Sequence, residues 1–183
     1  DGFAIVTGLR ERNFYGTGRS LDVLVNTSND KNQFKLITTD RLSYENDADI
    51  SYSINYKQED FSTASSYTLD TFSSGIGIGY QISDNLFHNI DFEYALKDYK
   101  VTNSATVANS ILTSSGSNIS YLIKNNFRFS TLNPGFVSKT GNYINFNNTL
   151  ETPTSSNNGY IKNLVTFKKY FSNKSSIYAV QAK

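Results

Sequence analysis

The chain has 183 residues, a formal charge of +1, 38% hydrophobic and 14% aromatic residues, and neither Cys nor Trp. This near-neutral balance points to neither nucleic acid nor a strongly acidic partner, and the lack of Cys excludes a disulfide framework and any thiolate metal site. The low apolar content speaks against a large two-sheet core but suits a barrel with a polar interior.

No run of 18 apolar residues occurs, so no transmembrane helix is encoded. No signal peptide is visible. Asp1 opens in a loop-like stretch and Lys183 falls in mid-strand. The expectation is therefore one partial domain over residues 1–183, cut at both ends.

Ten segments alternate apolar with polar residues, and none carries a helical period. Successive strand side chains point to opposite faces, so each segment has one apolar and one wet face. In chain order the first is Phe3–Asn13, with Phe3, Ile5 and Leu9 on its apolar side. Ser20–Thr27 follows with Leu21, Val23 and Val25, then Gln33–Thr39 with Phe34 and Leu36. Ala48–Lys57 carries Ile50, Tyr52, Ile54 and Tyr56. Tyr67–Ile82 carries Phe72, Ile76, Ile78 and Tyr80, with Gly75, Gly77 and Gly79 on its other face. Phe87–Tyr99 has Ile90, Phe92, Tyr94 and Leu96, and Ile119–Thr131 has Tyr121, Ile123, Phe127 and Phe129. Asn142–Leu150 adds Ile144 and Phe146, and Tyr160–Tyr170 adds Ile161, Val165 and Phe167. In Ser176–Lys183 the pair Ile177 and Ala179 competes with Tyr178 and Val180.

The opposite, lumen-facing set is Arg10, Asp22, Lys35, Asp49, Lys57, Asp70, Asp91, Glu93, Lys97, Lys124, Arg128, Asn145 and Lys162. The apolar stretches avoid basic residues, each of which costs about 2–4 kcal/mol at the midplane of a bilayer. Tyr56, Tyr80, Tyr99, Phe129 and Tyr170 sit near strand ends, as interfacial aromatic girdles do. A soluble β-sandwich also alternates, so the pattern alone leaves both architectures open.

The links alternate in class. Tyr15–Gly18, Asp40–Asn46, Ser83–Asn85, Asn133–Gly141 and Phe171–Ser175 are compact and turn-like. Ser28–Asn32, Gln58–Ser66, Lys100–Asn118 and Glu151–Gly159 are polar and more variable. In an up-and-down barrel alternate links share a rim, and bacterial barrels have short periplasmic turns and longer external loops. Lys100–Asn118, the longest, is expected to be a mobile external loop. Pro134 and Pro153, the two prolines, both fall in links.

Candidate chemistry is sparse. His88 is the single histidine and has no evident acid–base partner set, so it reads as a polar residue near a rim. Gly75–Gly79 does not place a glycine at the third position of the G-x-G-x-x-G pattern and lacks the following helix of a dinucleotide loop. Asp49, Asp91 and Glu93 lack the ligand-rich spacing of a calcium loop. Asn26, Asn118, Asn147 and Asn173 head chance Asn-x-Ser/Thr matches in an Asn-rich chain. No catalytic, cofactor or metal residue is assigned, and the chain is not read as an enzyme.

Asn13-Phe14-Tyr15-Gly16-Thr17-Gly18-Arg19-Ser20-Leu21 resembles a strand–turn–strand junction of the BamA-like family of outer-membrane assembly factors, in the bacterial surface antigen superfamily. Thr39–Tyr44 and Leu132–Tyr143 are similar to two further turns of that family, with Arg41 and Ser138 standing where it usually has Pro. All three lie on the short-turn rim, and the resemblance covers essentially the whole chain.

It implies an all-β, antiparallel, up-and-down transmembrane barrel, incomplete here at about ten strands of a larger one. It further implies part of an insertase in the bacterial outer membrane that inserts β-barrel proteins without ATP. The implied partners are outer-membrane lipids, unfolded β-barrel precursors and accessory assembly lipoproteins, with no nucleic acid. The alternatives are a TamA-like translocation and assembly protein, a passive pore or small barrel, and a soluble β-sandwich adhesin.

Overall fold

A computed structural model describes residues 3–42, 48–132, 140–154, 158–173 and 176–183. Ten strands form one antiparallel sheet in which every strand pairs with its neighbours in sequence. The strands are β1 (Ala4–Glu11), β2 (Ser20–Ser28), β3 (Lys31–Leu42), β4 (Ala48–Asp60), β5 (Tyr67–Ser83), β6 (Leu86–Val101), β7 (Gly116–Ser130), β8 (Gly141–Glu151), β9 (Tyr160–Asn173) and β10 (Ser176–Ala182). Each lies on one of the ten alternating segments. Among the described residues no second sheet packs on the first, which removes the β-sandwich.

Among the described residues burial is one-sided apart from His88, without any covering layer. Ser73, Ala95, Asn118, Ser120, Leu122 and Glu151 are buried, and the pairing register places all six on the face opposite Phe72 and Phe92. Side chains crowd on the concave side of a curved sheet and splay on the convex side. The polar face is therefore the inner wall and the apolar face the outer one. Ile76 and Tyr52 on the outer face remain about half exposed, at 50% and 49%.

Register settles the ambiguous last strand. Ala182 pairs with Phe167 and Tyr178 with Phe171, so Tyr178 and Val180 face outward. The Tyr178 ring stacks on Phe171, with centroids 5.4 Å apart.

Two short helices, α1 (Ser62–Ser65) and α2 (Asn109–Thr113), occupy the links after β4 and β6. Neither has the length for a periodic apolar stripe to show in sequence. At the entry to α1 the Asp60 carboxylate accepts the Ser62 N–H at 2.8 Å. The β2–β3 link, expected to span Ser28–Asn32, is a two-residue turn at Asn29 and Asp30, because both strands continue pairing up to it.

The first turn motif is a built structure. Between β1 and β2 a single 3-10 turn covers Phe14–Gly16. Asn13 Oδ1 accepts the Gly18 N–H at 2.7 Å, and the Phe14 N–H bonds Arg19 O at 2.8 Å. Gly16 and Gly18 have φ of +71° and +77°, a region that costs a residue with a Cβ about 1–2 kcal/mol. Residues 43–44 of the Thr39–Tyr44 motif and 133–139 of the Leu132–Tyr143 motif lie outside the described residues, as does part of the Phe171–Ser175 link.

Candidate functional site: a charged inner wall and an apolar outer face

Residues opposite one another in an antiparallel pair share a face, so rows can be read straight across the sheet. One inner row runs Asp22, Ile37, Ser53, Gly75, Glu93, Leu122, Glu151 and Tyr160. The next runs Thr39, Ser51, Gly77, Asp91, Lys124, Thr149 and Lys162. Charges of both signs alternate along this wall and pair across strands. Lys124 Nζ meets Glu93 Oε2 at 2.6 Å, Lys97 Nζ meets Glu151 Oε1 at 2.9 Å, and Arg10 pairs with Asp22.

The most enclosed part is the Lys97–Ser120–Glu151 cluster near the long-link rim. Glu151 is 2% exposed and Ser120 0%, and the Ser120 hydroxyl donates to the same Glu151 oxygen that Lys97 approaches. An ionised carboxylate so removed from water requires this pairing. The cluster ties β6, β7 and β8 together beside a cavity of about 610 Å³ that Tyr99 and Tyr160 also line.

Lower on the wall, Gly75 borders a groove of about 400 Å³ with Lys35, Ser51, Asp91 and Lys124. A Cβ on Gly77 would collide with the Asp91 carboxylate and the Ser51 hydroxyl. The missing side chains let neighbouring polar groups lie flat against the wall.

The outer face is apolar over most of its height. Tyr52, Ile76, Phe92, Ile123, Leu150 and Ile161 form an uninterrupted row across six strands. The row Tyr56, Phe72, Leu96 and Ile119 lies four residues above it along the tilted strands. Charge begins in the row beyond, at Asp70 and Asp98, where Lys100 Nζ lies 2.6 Å from Asp70 Oδ2. At 17 residues β5 is longer than the roughly 9–11 that cross a bilayer, so its upper end stands beyond any apolar band.

Several sequence expectations change here. Asp70, expected on the lumen face, shares the outer face with Phe72, two residues away in the same strand; it marks the end of the apolar band. Of the expected girdle residues, Tyr56, Tyr80 and Phe129 face outward. Tyr99 and Tyr170 face inward, opposite Gly116 and Gly141 respectively. Asp49, Asp91 and Glu93 do not converge on one point: Arg41 lies 3.8 Å from Asp49, Asn89 donates to Asp91, and Lys124 holds Glu93. Among the described residues no group of three or more His, Asp or Glu is placed to hold a metal ion.

His88 lies on the outer face, buried to 8% exposure. Its ring stacks on Phe127, with centroids 4.0 Å apart and planes 5° off parallel. Its Nδ1 lies 2.8 Å from the Tyr80 hydroxyl and its Nε2 3.3 Å from Asn125 Oδ1. Its contacts are thus a phenol, an amide and an aromatic ring.

Comparison with known proteins agrees with this architecture. A model of the Omp85 superfamily domain matches residues 13–181. The crystal structure of BamA from Haemophilus ducreyi lacking POTRA domains 1-3 superposes with a TM-score of 0.76 at 18% identity. The match covers 98% of this chain and 38% of that one. This likeness shows the fold: the ten strands correspond to part of a BamA barrel. Comparison with curated proteins gives no match. With the superfamily domain spanning nearly its whole length, the chain belongs to the Omp85 superfamily.

Proposed function

We propose that this chain is part of the outer-membrane barrel of an insertase that assembles β-barrel proteins into the bacterial outer membrane without ATP. The observation that carries this reading is the superfamily domain over residues 13–181, laid on a sheet with an apolar convex face and a charged concave one. The convex face meets lipid, the wet wall lines the lumen, and the short-turn rim faces the periplasm. Its partners are outer-membrane lipids, unfolded barrel precursors and, through periplasmic parts, accessory lipoproteins. The fragment contributes wall, and none of its residues is assigned a catalytic role.

The test is depletion of the full-length protein in its own cells. The expected result is a loss of folded outer-membrane barrels and accumulation of their unfolded precursors in the periplasm. Normal barrel assembly after depletion would remove the insertase reading and leave a pore or another transport role.

A further inference from the structure

The apolar outer face carries one polar row. Asn125, Asn148 and Asn163 occupy directly opposed positions on β7, β8 and β9. The row below them is Phe127, Phe146 and Val165, and the row above is Ile123, Leu150 and Ile161. The three amides therefore sit within the apolar band, with an apolar row on either side.

They form one directed chain of hydrogen bonds. Asn125 Oδ1 can only accept, so His88 Nε2 donates to it, and the Tyr80 hydroxyl lies 2.8 Å from His88 Nδ1. Asn125 Nδ2 then donates to Asn148 Oδ1 at 3.3 Å, and Asn148 Nδ2 to Asn163 Oδ1 at 2.7 Å. The chain crosses five strands and ends on Asn163, which is exposed and keeps its own NH₂ donors. Each amide also keeps hydrogen-bonding capacity that a side chain in hydrocarbon cannot satisfy from lipid tails.

We propose that this outward amide row is a contact surface for polypeptide crossing the membrane beside the wall: a strand of a barrel precursor whose polar groups are not yet paired. The inference rests on the insertase reading above. Lipid tails offer no donors or acceptors, whereas an incoming strand presents both and needs both until its own sheet closes. Polar side chains in apolar surroundings act as association points between membrane segments, and a row of neutral amides does so without the desolvation cost of charge. Spread over three strands, it suits many sequences and selects none.

The experiment uses the full-length protein in lipid vesicles with an unfolded outer-membrane barrel protein as probe. It compares the wild type, the triple variant Asn125→Leu/Asn148→Leu/Asn163→Leu, and the control Ile123→Val/Leu150→Val/Ile161→Val. The expected result is that the triple leucine variant resists urea at least as well as the wild type, while its assembly rate falls about tenfold. A photocrosslinker at Asn148 captures the probe during assembly and one at Gln58 does not. Unchanged assembly and no capture at Asn148 overturn the proposal. So does a parallel fall in urea resistance and assembly, which assigns the row a structural role only. Failure of the wild type to assemble the probe removes the insertase reading itself and is distinguishable from both.

Discussion

Glu151 gives the sharpest test of the inner wall. Replacing it with Ala strips the acceptor from Lys97 Nζ at 2.9 Å and from the Ser120 hydroxyl, in a spot where Glu151 is 2% and Ser120 0% exposed. Removing one partner of a buried ion pair costs about 3–5 kcal/mol. The Lys97 side chain is 23% exposed and can turn toward lumen water, so the lower end, about 3 kcal/mol, is expected. Glu151→Gln keeps an oxygen for Ser120 and loses only the charge, and should cost about half as much. The double change Lys97→Met/Glu151→Leu leaves no unpaired charge but still takes an acceptor from the Ser120 hydroxyl, and should recover part of the loss, ending about 1–2 kcal/mol below wild type. The assay is urea unfolding of the full-length protein in lipid vesicles, read by the gel-mobility difference between folded and unfolded barrels. A cost below about 1 kcal/mol for the Ala variant, or a double variant as unstable as the single, would refute the reasoning.

Three further outcomes follow from the same geometry. Phe92→Arg places a cation in the central outer row and should destabilise the vesicle-embedded barrel by about 2–4 kcal/mol; Ser53→Arg, on the lumen wall, should cost clearly less in the same unfolding assay. Gly141→Ala combines a φ of +119° with a Cβ driven into the Thr131 carbonyl, and should lower stability by about 1–3 kcal/mol by urea titration. Asn13→Ala removes the acceptor for the Gly18 N–H at 2.7 Å; it should cost about 1 kcal/mol and speed hydrogen exchange in the β1–β2 turn without changing sheet register.

The ten strands were legible because alternation reports a face directly, and a one-residue error would send every side chain to the wrong side. The short-turn motif was legible because Gly16 and Gly18 need positive φ. Parity failed at strand ends. Asp70 was read by its charge, although counting two residues back from Phe72 puts it outside. Tyr99 and Tyr170 were read by their aromaticity, although they fall on the parity of Lys97 and Lys168.

The amide row was missed for the converse reason. Asn125 lies between Ile123 and Phe127, Asn148 between Phe146 and Leu150, and Asn163 between Ile161 and Val165, so each sat on an apolar parity that could have been counted. That the three are opposed, and that His88 joins them, depends on register across strands, which no local pattern carries. The Lys97–Glu151 pair is hidden likewise: 54 residues separate its partners, and the two meet on a diagonal across β7.

The central claim is that the convex face meets lipid and the concave face water. The chain contains no Cys, so single cysteines can be placed one at a time from Ile90 to Lys97 in β6 and spin-labelled in the membrane-embedded full-length protein, with any other cysteines replaced. The account predicts a strict two-residue period. Labels at Ile90, Phe92, Tyr94 and Leu96 should be accessible to oxygen dissolved in lipid, and labels at Asp91, Glu93, Ala95 and Lys97 to a water-soluble nickel relaxant. Uniform access of the nickel reagent to both sets, or the reverse alternation, would contradict it.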